Sequence, residues 1–246
     1  MNDADTEAQR SILVVAHAHR ADTVAAAERV VAALRAAGAR PVLALDDGDG
    51  EDLVQAGPTL ADVAVLGIDV PVTEIELAIV LGGDGTILRA AELVRDGSAP
   101  VLGINMGHVG FLAEIERDDM DEAVRRVIAR EYEVEDRMAL QVRVKDTGDS
   151  VIYETWALNE ATVEKASRER LLEVVVEIDG RPLSTFGCDG MVVSTPTGST
   201  ANNFSAGGPV IWPTTRGLAK RAWADSGTTA IASTVGQITG PPAEKL

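Results

Sequence analysis

The first half of the chain alternates short apolar runs with segments that have the spacing of a helix face. "ILVVA" at residues 12–16 is followed by the alanine-rich "ADTVAAAERVVAALRAAG", in which Gly38 is placed to end a helix. The runs "RPVLAL", "IELAIVL" and "PVLGIN" follow, and then "RDDMDEAVRRVIAREY", whose acidic start suits the helix dipole. Strands that alternate with helices form parallel βαβ units. The sequence therefore predicts an α/β domain with a parallel sheet over residues 1–132.

The pattern changes after Tyr132. Apolar runs such as "ALQVRVKD", "LLEVVVEIDG" and "GMVVSTP" follow one another, mostly without helical segments between them. Asp179-Gly180 lies between two of these runs and is a strong signal for a two-residue hairpin turn. These features predict a second, antiparallel and sandwich-like β domain over residues 133–246. Its last stretch, from about residue 214, is rich in Ala, Thr, Gly and Ser and only weakly periodic.

Charge and composition exclude several classes of partner. A formal net charge of −17 argues against a broad electrostatic surface for nucleic acid or for an anionic membrane. No apolar run approaches the roughly 18 residues of a membrane span, and the polar, acidic N-terminus is unlike a secretory signal. The single cysteine excludes a disulfide within the chain and fits a reducing compartment. We expect a cytoplasmic protein that binds neither nucleic acid nor membrane.

A glycine-rich turn, "GGDGT" at residues 82–86, follows the apolar run "IELAIVL". Glycine accepts positive φ and allows a ligand to approach the backbone, and a helix beginning near Thr86 would direct N–H groups at a phosphate. Asp84 would stand at the carboxyl end of a strand, where it could accept a proton or hold a metal ion. The alternative is a sharp strand–helix turn in which Asp84 caps the helix.

Two further polar clusters lie in the second half. Thr, Ser and Asn crowd around glycines in "FGCDGMVVSTPTGSTANNFSAGGP", and this segment is either a ligand site or a turn between sandwich strands. Asn159-Glu160 interrupts a strand-like run. Neighbouring strand residues face opposite sides, so both contact one ligand only if the chain bends there; a solvated strand face is the alternative.

The cysteine and the histidines are poor candidates for chemistry. Cys188 has no histidine nearby in sequence and is expected to be a small buried core residue. His17, His19 and His108 lack the spacing of a zinc site, and no cysteine pairs supplement them. The sequence predicts no protein-built metal site.

Taken together, "GGDGT", "LNE", "GCDGMVVSTPTGSTA" and "SAGGP" resemble the NAD kinase family in content and in order. The resemblance covers residues of about 10 to 213. Diacylglycerol and sphingosine kinases, and more loosely phosphofructokinases, share a stretch like "GGDGT", whereas the "GCDG…STPTGSTA" block favours NAD kinase. The resemblance implies an α/β domain and a β-sandwich-like domain with the active site in the crevice between them.

The resemblance also implies an activity. Members of the family transfer a phosphoryl group from ATP, or in some bacteria from polyphosphate, to the 2′-hydroxyl of the adenosine ribose of NAD, giving NADP. Mg²⁺ or another divalent metal and a homodimer or homotetramer are implied with it. Asp84 matches the family's base, and the other matched positions are implied to hold the nucleotides. They are Gly85, Arg89 (from the first turn of the helix), Phe111, Asn159, Glu160, Arg170, Asp189, Thr200, Ala201 and Ser205.

The match to the family breaks at two places. Asn202 stands where the family usually has a tyrosine that stacks on adenine, which implies weaker NAD binding. After Trp212-Pro213 the chain no longer resembles the family, which continues there through several more strands. We therefore expect an incomplete second domain with a divergent tail. The divergent tail leaves a catalytically impaired nucleotide-binding fragment as one alternative to an NAD kinase. The shared "GGDGT" stretch leaves a lipid kinase of the diacylglycerol type as the other.

Overall fold

The computed structural model describes residues 9–17, 20–44, 57, 59–107, 110–166, 171–215, 218–223 and 233–235. The chain forms two compact units that meet in sequence between Glu135 and Asp136. In the part of the chain that the structure describes, every helix is too short or too polar to cross a bilayer.

Unit 1 is built on a six-stranded sheet with strand order β3-β2-β1-β4-β5-β6, in which every neighbouring pair is parallel. The predicted parallel sheet is confirmed. Two outer strands of two residues each were not predicted, because so short a run produces no recognisable periodicity. The strands are β1 (Ser11–Ala16), β2 (Arg40–Leu43), β3 (Ala64–Val65), β4 (Ile75–Leu81), β5 (Val101–Asn105) and β6 (Ile115–Glu116).

Three helices cover the two faces of this sheet: α1 (Ala21–Ala36), α2 (Asp84–Val94) and α3 (Met120–Ala129). Alternate residues of a strand face opposite sides, so the central strands supply both cores. Ile12 and Ile79 pack with α1 and α3, whereas Leu13 and Val80 pack with α2. The central strands are therefore apolar on both faces, as buried parallel strands are. Gly38 ends α1 in a left-handed conformation with φ 77°, as predicted.

Unit 2 is antiparallel throughout its described strands. The hairpin of β10 and β11 turns at Asp179 and Gly180, both with positive φ, which confirms the predicted turn. The other strands form a second hairpin, β7-β8, and a four-stranded sheet of order β14-β13-β12-β9. The strands are β7 (Leu140–Lys145), β8 (Val151–Ala157), β9 (Glu160–Glu164), β10 (Leu172–Ile178), β11 (Arg181–Cys188), β12 (Gly190–Ser194), β13 (Leu218–Trp223) and β14 (Ser233–Val235).

The connection from β12 to β13 contains the only helical turns described in unit 2. A 3₁₀ turn at Thr197–Thr200 leads into the four-residue helix α4 (Asn202–Ser205). Two strands, β13 and β14, lie in the region that the sequence predicted to be weakly periodic, and β13 pairs with β12 along five residues.

An arginine ties the start of β1 to the end of α3. Arg10 donates to both carboxylate oxygens of Glu76, at 2.7 and 2.6 Å, and to the carbonyl oxygens of Val127 and Ile128 at 2.9 and 2.6 Å. These carbonyls belong to the last turn of α3, where the regular i to i+4 hydrogen bonds run out. The Arg130 N–H also donates to the Val127 carbonyl, at 3.1 Å. The Arg10 hydrogen bonds hold the pKa of Glu76 below its ordinary value against the opposing effect of burial.

We predict that Arg10→Ala lowers the free energy of unfolding of unit 1 by about 2–3 kcal/mol, since four charge-assisted hydrogen bonds are lost at a mostly buried site. Denaturant unfolding followed by far-ultraviolet circular dichroism measures it, because the three long helices among the described residues all lie in unit 1. Arg29→Ala is the control. Its pair with Asp121 is equally short, at 2.5 Å, but exposed, so the change should stay within about 0.5 kcal/mol. Equal losses for both variants would contradict the prediction.

Candidate active site

The strand order of unit 1 places a ligand-binding position at the carboxyl ends of β1 and β4. From β1 the chain moves outward to β2 and β3, and from β4 it moves outward the other way to β5 and β6. In open α/β sheets, ligands bind beside the strand ends where the order reverses in this way. The "GGDGT" turn follows β4 directly and therefore lies at this reversal.

Asp84 is the first residue of α2 and does not cap it. The N-cap is Gly83, and no side chain caps the helix. Instead, Asp84 Oδ2 accepts the backbone N–H of Phe111 and Oδ1 accepts that of Leu112, each at 3.0 Å. The interpretation of Asp84 as a helix cap is therefore wrong. The half-buried carboxylate is directed at the segment that follows β5.

Of the three glycines of the turn, only Gly82 is required by lack of space. None of Gly82, Gly83 and Gly85 has positive φ. A Cβ on Gly82 would lie 2.4 Å from Thr86 Oγ1, where the strand passes into the helix. Gly83 and Gly85 are exposed, and a Cβ on either would meet nothing within 4 Å. The backbone at these two residues is open to a ligand.

Arg89 lies in the second turn of α2, not in the first. The helix begins two residues before the predicted start, at Asp84, and Arg89 is therefore its sixth residue. Gly85 and Arg89 are four residues apart and share one exposed face of the helix. Phe111 is 72% exposed, and its described contact with Asp84 is made by its backbone.

In unit 2, Asn159 and Glu160 lie where the chain bends between β8 and β9. Glu160 Oε1 accepts a hydrogen bond of 2.7 Å from Asn202 Nδ2. The other Glu160 oxygen and Asn159 Oδ1 are buried and accept no hydrogen bond from any described residue. Burial raises the pKa of Glu160, and the Asn202 hydrogen bond opposes that rise. These two oxygen atoms can therefore accept hydrogen bonds from a bound molecule, since no described residue donates to them.

The Thr- and Ser-rich segment packs directly against this bend. The close packing of this segment on the bend requires glycine at position 198, because a Cβ there would lie 2.0 Å from the carbonyl oxygen of Asn159. Thr195 Oγ1 donates to the Leu158 carbonyl at 2.6 Å and accepts the Gly198 N–H at 3.0 Å. Ser199 Oγ is likewise buried and donates to the Pro196 carbonyl at 2.7 Å. These hydroxyls hold the backbone and do not face a ligand.

The remaining candidates in this segment are more accessible. Thr200 and Ala201 are half-buried and Ser205 is exposed, on either side of Asn202, whose amide reaches Glu160. The structure therefore gathers Asn159, Glu160 and these three residues at one end of the β9–β12 pair.

Asp189 is not part of that group. In the β9–β12 register, Ser194 is opposite Glu160 and Gly190 is opposite Glu164, so Asp189 lies at the other end, roughly 16 Å away by strand rise. There it is buried and forms an ion pair with Lys165. Arg170 lies outside the described residues.

Cys188 is a core residue, as predicted. It is 2% exposed and packs with Met191, Val174, Val176 and Phe186. Burial and the neighbouring Asp189 charge raise the pKa of its thiol, which suppresses the reactive thiolate.

No side-chain cluster suited to a metal centre is found among the described residues, where no three His, Cys, Asp or Glu side chains converge. His19 and His108 lie outside those residues.

Comparison with known proteins identifies the family. Residues 12–132 match the model of the ATP-NAD kinase N-terminal domain, and residues 158–219 match that of the C-terminal domain. An NAD kinase of Leifsonia xyli is 66% identical over 206 residues, which are 84% of this chain and 67% of the relative. NAD kinase 2 of Streptomyces coelicolor is 51% identical over 211 residues, 85% of this chain and 68% of the relative. The chain belongs to the NAD kinase family.

Solved structures agree on the fold. Yeast NADH kinase complexed with NADH matches with a TM-score of 0.75 at 21% identity, covering 92% of this chain and 70% of that one. An Archaeoglobus fulgidus NAD kinase in complex with ATP matches with a TM-score of 0.65 at 24% identity, covering 93% and 77%. The combination of a parallel α/β unit with an antiparallel unit is thus that of the NAD kinase fold. As a member of the family, the chain is a phosphotransferase, and neither alternative reading of the sequence is favoured.

Sequence reasoning missed the partners of the NAD kinase motifs. Gly110 and Leu112, which contact Asp84, were not singled out; Gly110 has only the glycine spacing of "MGHVG" as a signal, and Leu112 has none. Lys165, the partner of Asp189, belongs to no motif. The Asn202–Glu160 hydrogen bond joins residues 42 apart in sequence and depends on the fold.

We predict that Gly198→Ala destabilises unit 2 by on the order of 2–4 kcal/mol, because its methyl group would collide with backbone that cannot move aside. Tryptophan fluorescence during denaturant unfolding measures it, since all three tryptophans lie in the second half of the chain. Gly187→Ala is the matched control, because its nearest neighbour, Leu171 Cδ1, would be 4.0 Å from the new Cβ. The same loss in both variants would contradict the described packing.

Proposed function

We propose that the chain transfers the terminal phosphoryl group of ATP to the 2′-hydroxyl of the adenosine ribose of NAD, giving NADP. The observation that carries this proposal is the Asp84 carboxylate. It lies at the sheet's ligand-binding edge, is fixed by two backbone N–H groups and is flanked by two glycines that leave the backbone open. The names of the relatives, NAD kinases at 66% and 51% identity, support the same substrates.

Asp84 is the proposed general base. A carboxylate has about four lone-pair sites, and the Phe111 and Leu112 N–H groups use two of them. The remaining sites are available to a ribose hydroxyl and accept its proton as the oxygen attacks phosphorus. Phosphoryl transfer depends mainly on in-line positioning and charge stabilisation, and one positioned base contributes typically 10²–10⁴-fold.

The first turn of α2 is the proposed phosphate contact. The first N–H groups of a helix have no intrahelical partner and attract anions. Exposed Gly85 allows a phosphate to approach this turn, and Arg89, one turn further along the same face, contributes positive charge. Local devices of this kind are needed because the chain's net charge of −17 repels polyanions.

A divalent metal, Mg²⁺ above all, is proposed to arrive with the phosphoryl donor. Mg²⁺ keeps several waters and usually takes one or two carboxylates plus substrate phosphates, so it does not require a protein-built cage. The described residues hold no such cage, and the single carboxylate of Asp84 fits this mode of binding. The metal would neutralise charge on the phosphates. ATP is the proposed donor, and polyphosphate is the second donor to be assayed.

Unit 2 is the proposed NAD-binding unit. Asn159 and Glu160 present buried acceptors without donors, and hydroxyl groups of a ribose would supply them. Thr200, Ala201 and Ser205 lie beside them on the proposed adenine side.

On the family resemblance, Asp189 is proposed to contact nucleotide in a neighbouring subunit of a homodimer or homotetramer. Within this chain it lies at the opposite end of β12 from Glu160. Phe111 and Arg170 are proposed as further contacts. We also propose domain limits of 1–132 and 133–246 and a cytoplasmic location.

We predict that Asp84→Asn lowers kcat by about 10²–10⁴-fold while NAD binding is little changed. A coupled assay for NADP from NAD, ATP and Mg²⁺ gives kcat, and calorimetry gives the NAD affinity. The amide nitrogen cannot accept an N–H, so Asn keeps only one of the two backbone hydrogen bonds, and the melting temperature is measured alongside. Asp96→Asn, an exposed position beyond the other end of α2, is the control. Near-normal NADP formation by Asp84→Asn would reject the proposed base.

We predict that Asn202→Tyr lowers the KM for NAD, since stacking of a base on an aromatic ring is worth about 1–3 kcal/mol. The substitution also removes the hydrogen bond to Glu160. Asn202→Ala is the control, because it removes that hydrogen bond without adding a ring. Equal KM values for the Tyr and Ala variants would show that residue 202 does not lie against adenine.

A further inference from the structure

The segment Gly110–Leu112 contacts Asp84 through its backbone alone. Phe111 N–H binds Oδ2 and Leu112 N–H binds Oδ1, both at 3.0 Å, so each carboxylate oxygen has its own donor. Two donors on two oxygens fix the plane of the carboxylate as well as its position. A single hydrogen bond would leave the group free to rotate.

Gly110 determines whether this segment can come close enough. A Cβ on Gly110 would lie 2.2 Å from Asp84 Oδ1, 2.8 Å from Cγ and 3.0 Å from Oδ2. Carbon and oxygen atoms do not approach to 2.2 Å without a bond, so any larger residue must displace either the carboxylate or the segment. The φ of Gly110 is not positive, and the requirement for glycine here is therefore steric.

The segment is also anchored in the core. Leu112 packs against the core between α2 and the sheet, and Ala113 lies 3.2 Å from the Cβ position of Gly103 on β5. The two N–H donors are thus held by the same core that holds α2, which carries Asp84.

We propose that Gly110 is a positioning residue: its missing side chain lets the Phe111 and Leu112 N–H groups orient the Asp84 carboxylate for proton abstraction. The inference rests on the proposed role of Asp84 as base. It predicts that kcat depends on Gly110 even if Gly110 contacts neither substrate, because the effect passes through Asp84.

The kinetic test compares Gly110→Ala with Gly107→Ala in the coupled NADP assay. A displacement of the base by about 1 Å can lower turnover by 10²-fold, so Gly110→Ala should reduce kcat by roughly that factor. The KM for NAD should stay near the wild-type value, because the binding residues of unit 2 are unchanged. Gly107 lies in the same loop, and its new Cβ would approach only the flexible end of Arg20, at 3.2 Å. Gly107→Ala should therefore keep nearly full kcat.

A thermal double-mutant cycle tests the contact without reference to activity. Gly110→Ala should lower the melting temperature by roughly 4–8 °C in the wild-type chain, where the methyl group meets the carboxylate. In an Asp84→Ala background the carboxylate is gone, so the same substitution should have a much smaller effect. If Gly110→Ala alone does not fold, a folded Asp84→Ala/Gly110→Ala chain supports the proposal equally.

Three results would overturn the inference: a Gly110→Ala kcat close to wild type, an equal fall in melting temperature in both backgrounds, or a double variant that fails to fold while Asp84→Ala folds. These results are distinct from failure of the proposed function. Normal turnover by Asp84→Asn would reject Asp84 as the base, while the thermal coupling between Gly110 and Asp84 could still be observed. Loss of turnover in Asp84→Asn, together with no thermal coupling, would reject only the role of Gly110.

Discussion

The parallel pairing of β1 with β4 is the constraint on which unit 1 depends. The two strands are adjacent although three other elements of the sheet and its helices lie between them in sequence, and their residues are buried on both faces. This pairing reverses the direction in which the sheet grows, and it brings α1 and α2 to opposite faces. The carboxyl end of β4 lies at the reversal of strand order for that reason, and the glycine turn follows it directly. Without the pairing, "GGDGT" would be one more tight turn.

Unit 2 depends on a close backbone approach of a similar kind. Gly198 packs on the Asn159 carbonyl, and Thr195 bonds the carbonyls on the inner side of the same bend. Asn159 Oδ1 and Glu160 Oε2 are buried at this bend, and the turn at Thr197–Thr200 packs beside it. In both units a glycine without room for a side chain sets the position of a neighbouring acidic or amide group. Glycine is required at these places by contact distances, while positive φ occurs elsewhere, at turns such as Asp179-Gly180.

The strands of unit 1 and the hairpin of β10 and β11 were predictable because their signals are local. A buried parallel strand is a continuous apolar run, and an Asp-Gly pair favours two residues of positive φ. The motifs were also sufficient to indicate the family, and the comparisons confirm it. The two-residue strands β3 and β6 were missed because they exist only as partners of longer neighbours. The start of α2 was predicted two residues too late, at Thr86, because Asp84 was taken to precede the helix. Arg89 was therefore assigned to the first turn instead of the second.

The sequence by itself determined which residues are candidates for chemistry: an aspartate among glycines after a strand, an Asn-Glu pair, and a Thr-rich segment near the single cysteine. Composition, periodicity and motif order are properties of the linear sequence, and they do not depend on how the chain folds. Only the tertiary structure decided what these groups contact. It gave Asp84 two backbone donors from a loop 27 and 28 residues away, and it joined Glu160 to Asn202. It placed Asp189 at the opposite end of β12 from Glu160. Such contacts depend on distances between segments remote in sequence, which no local pattern encodes.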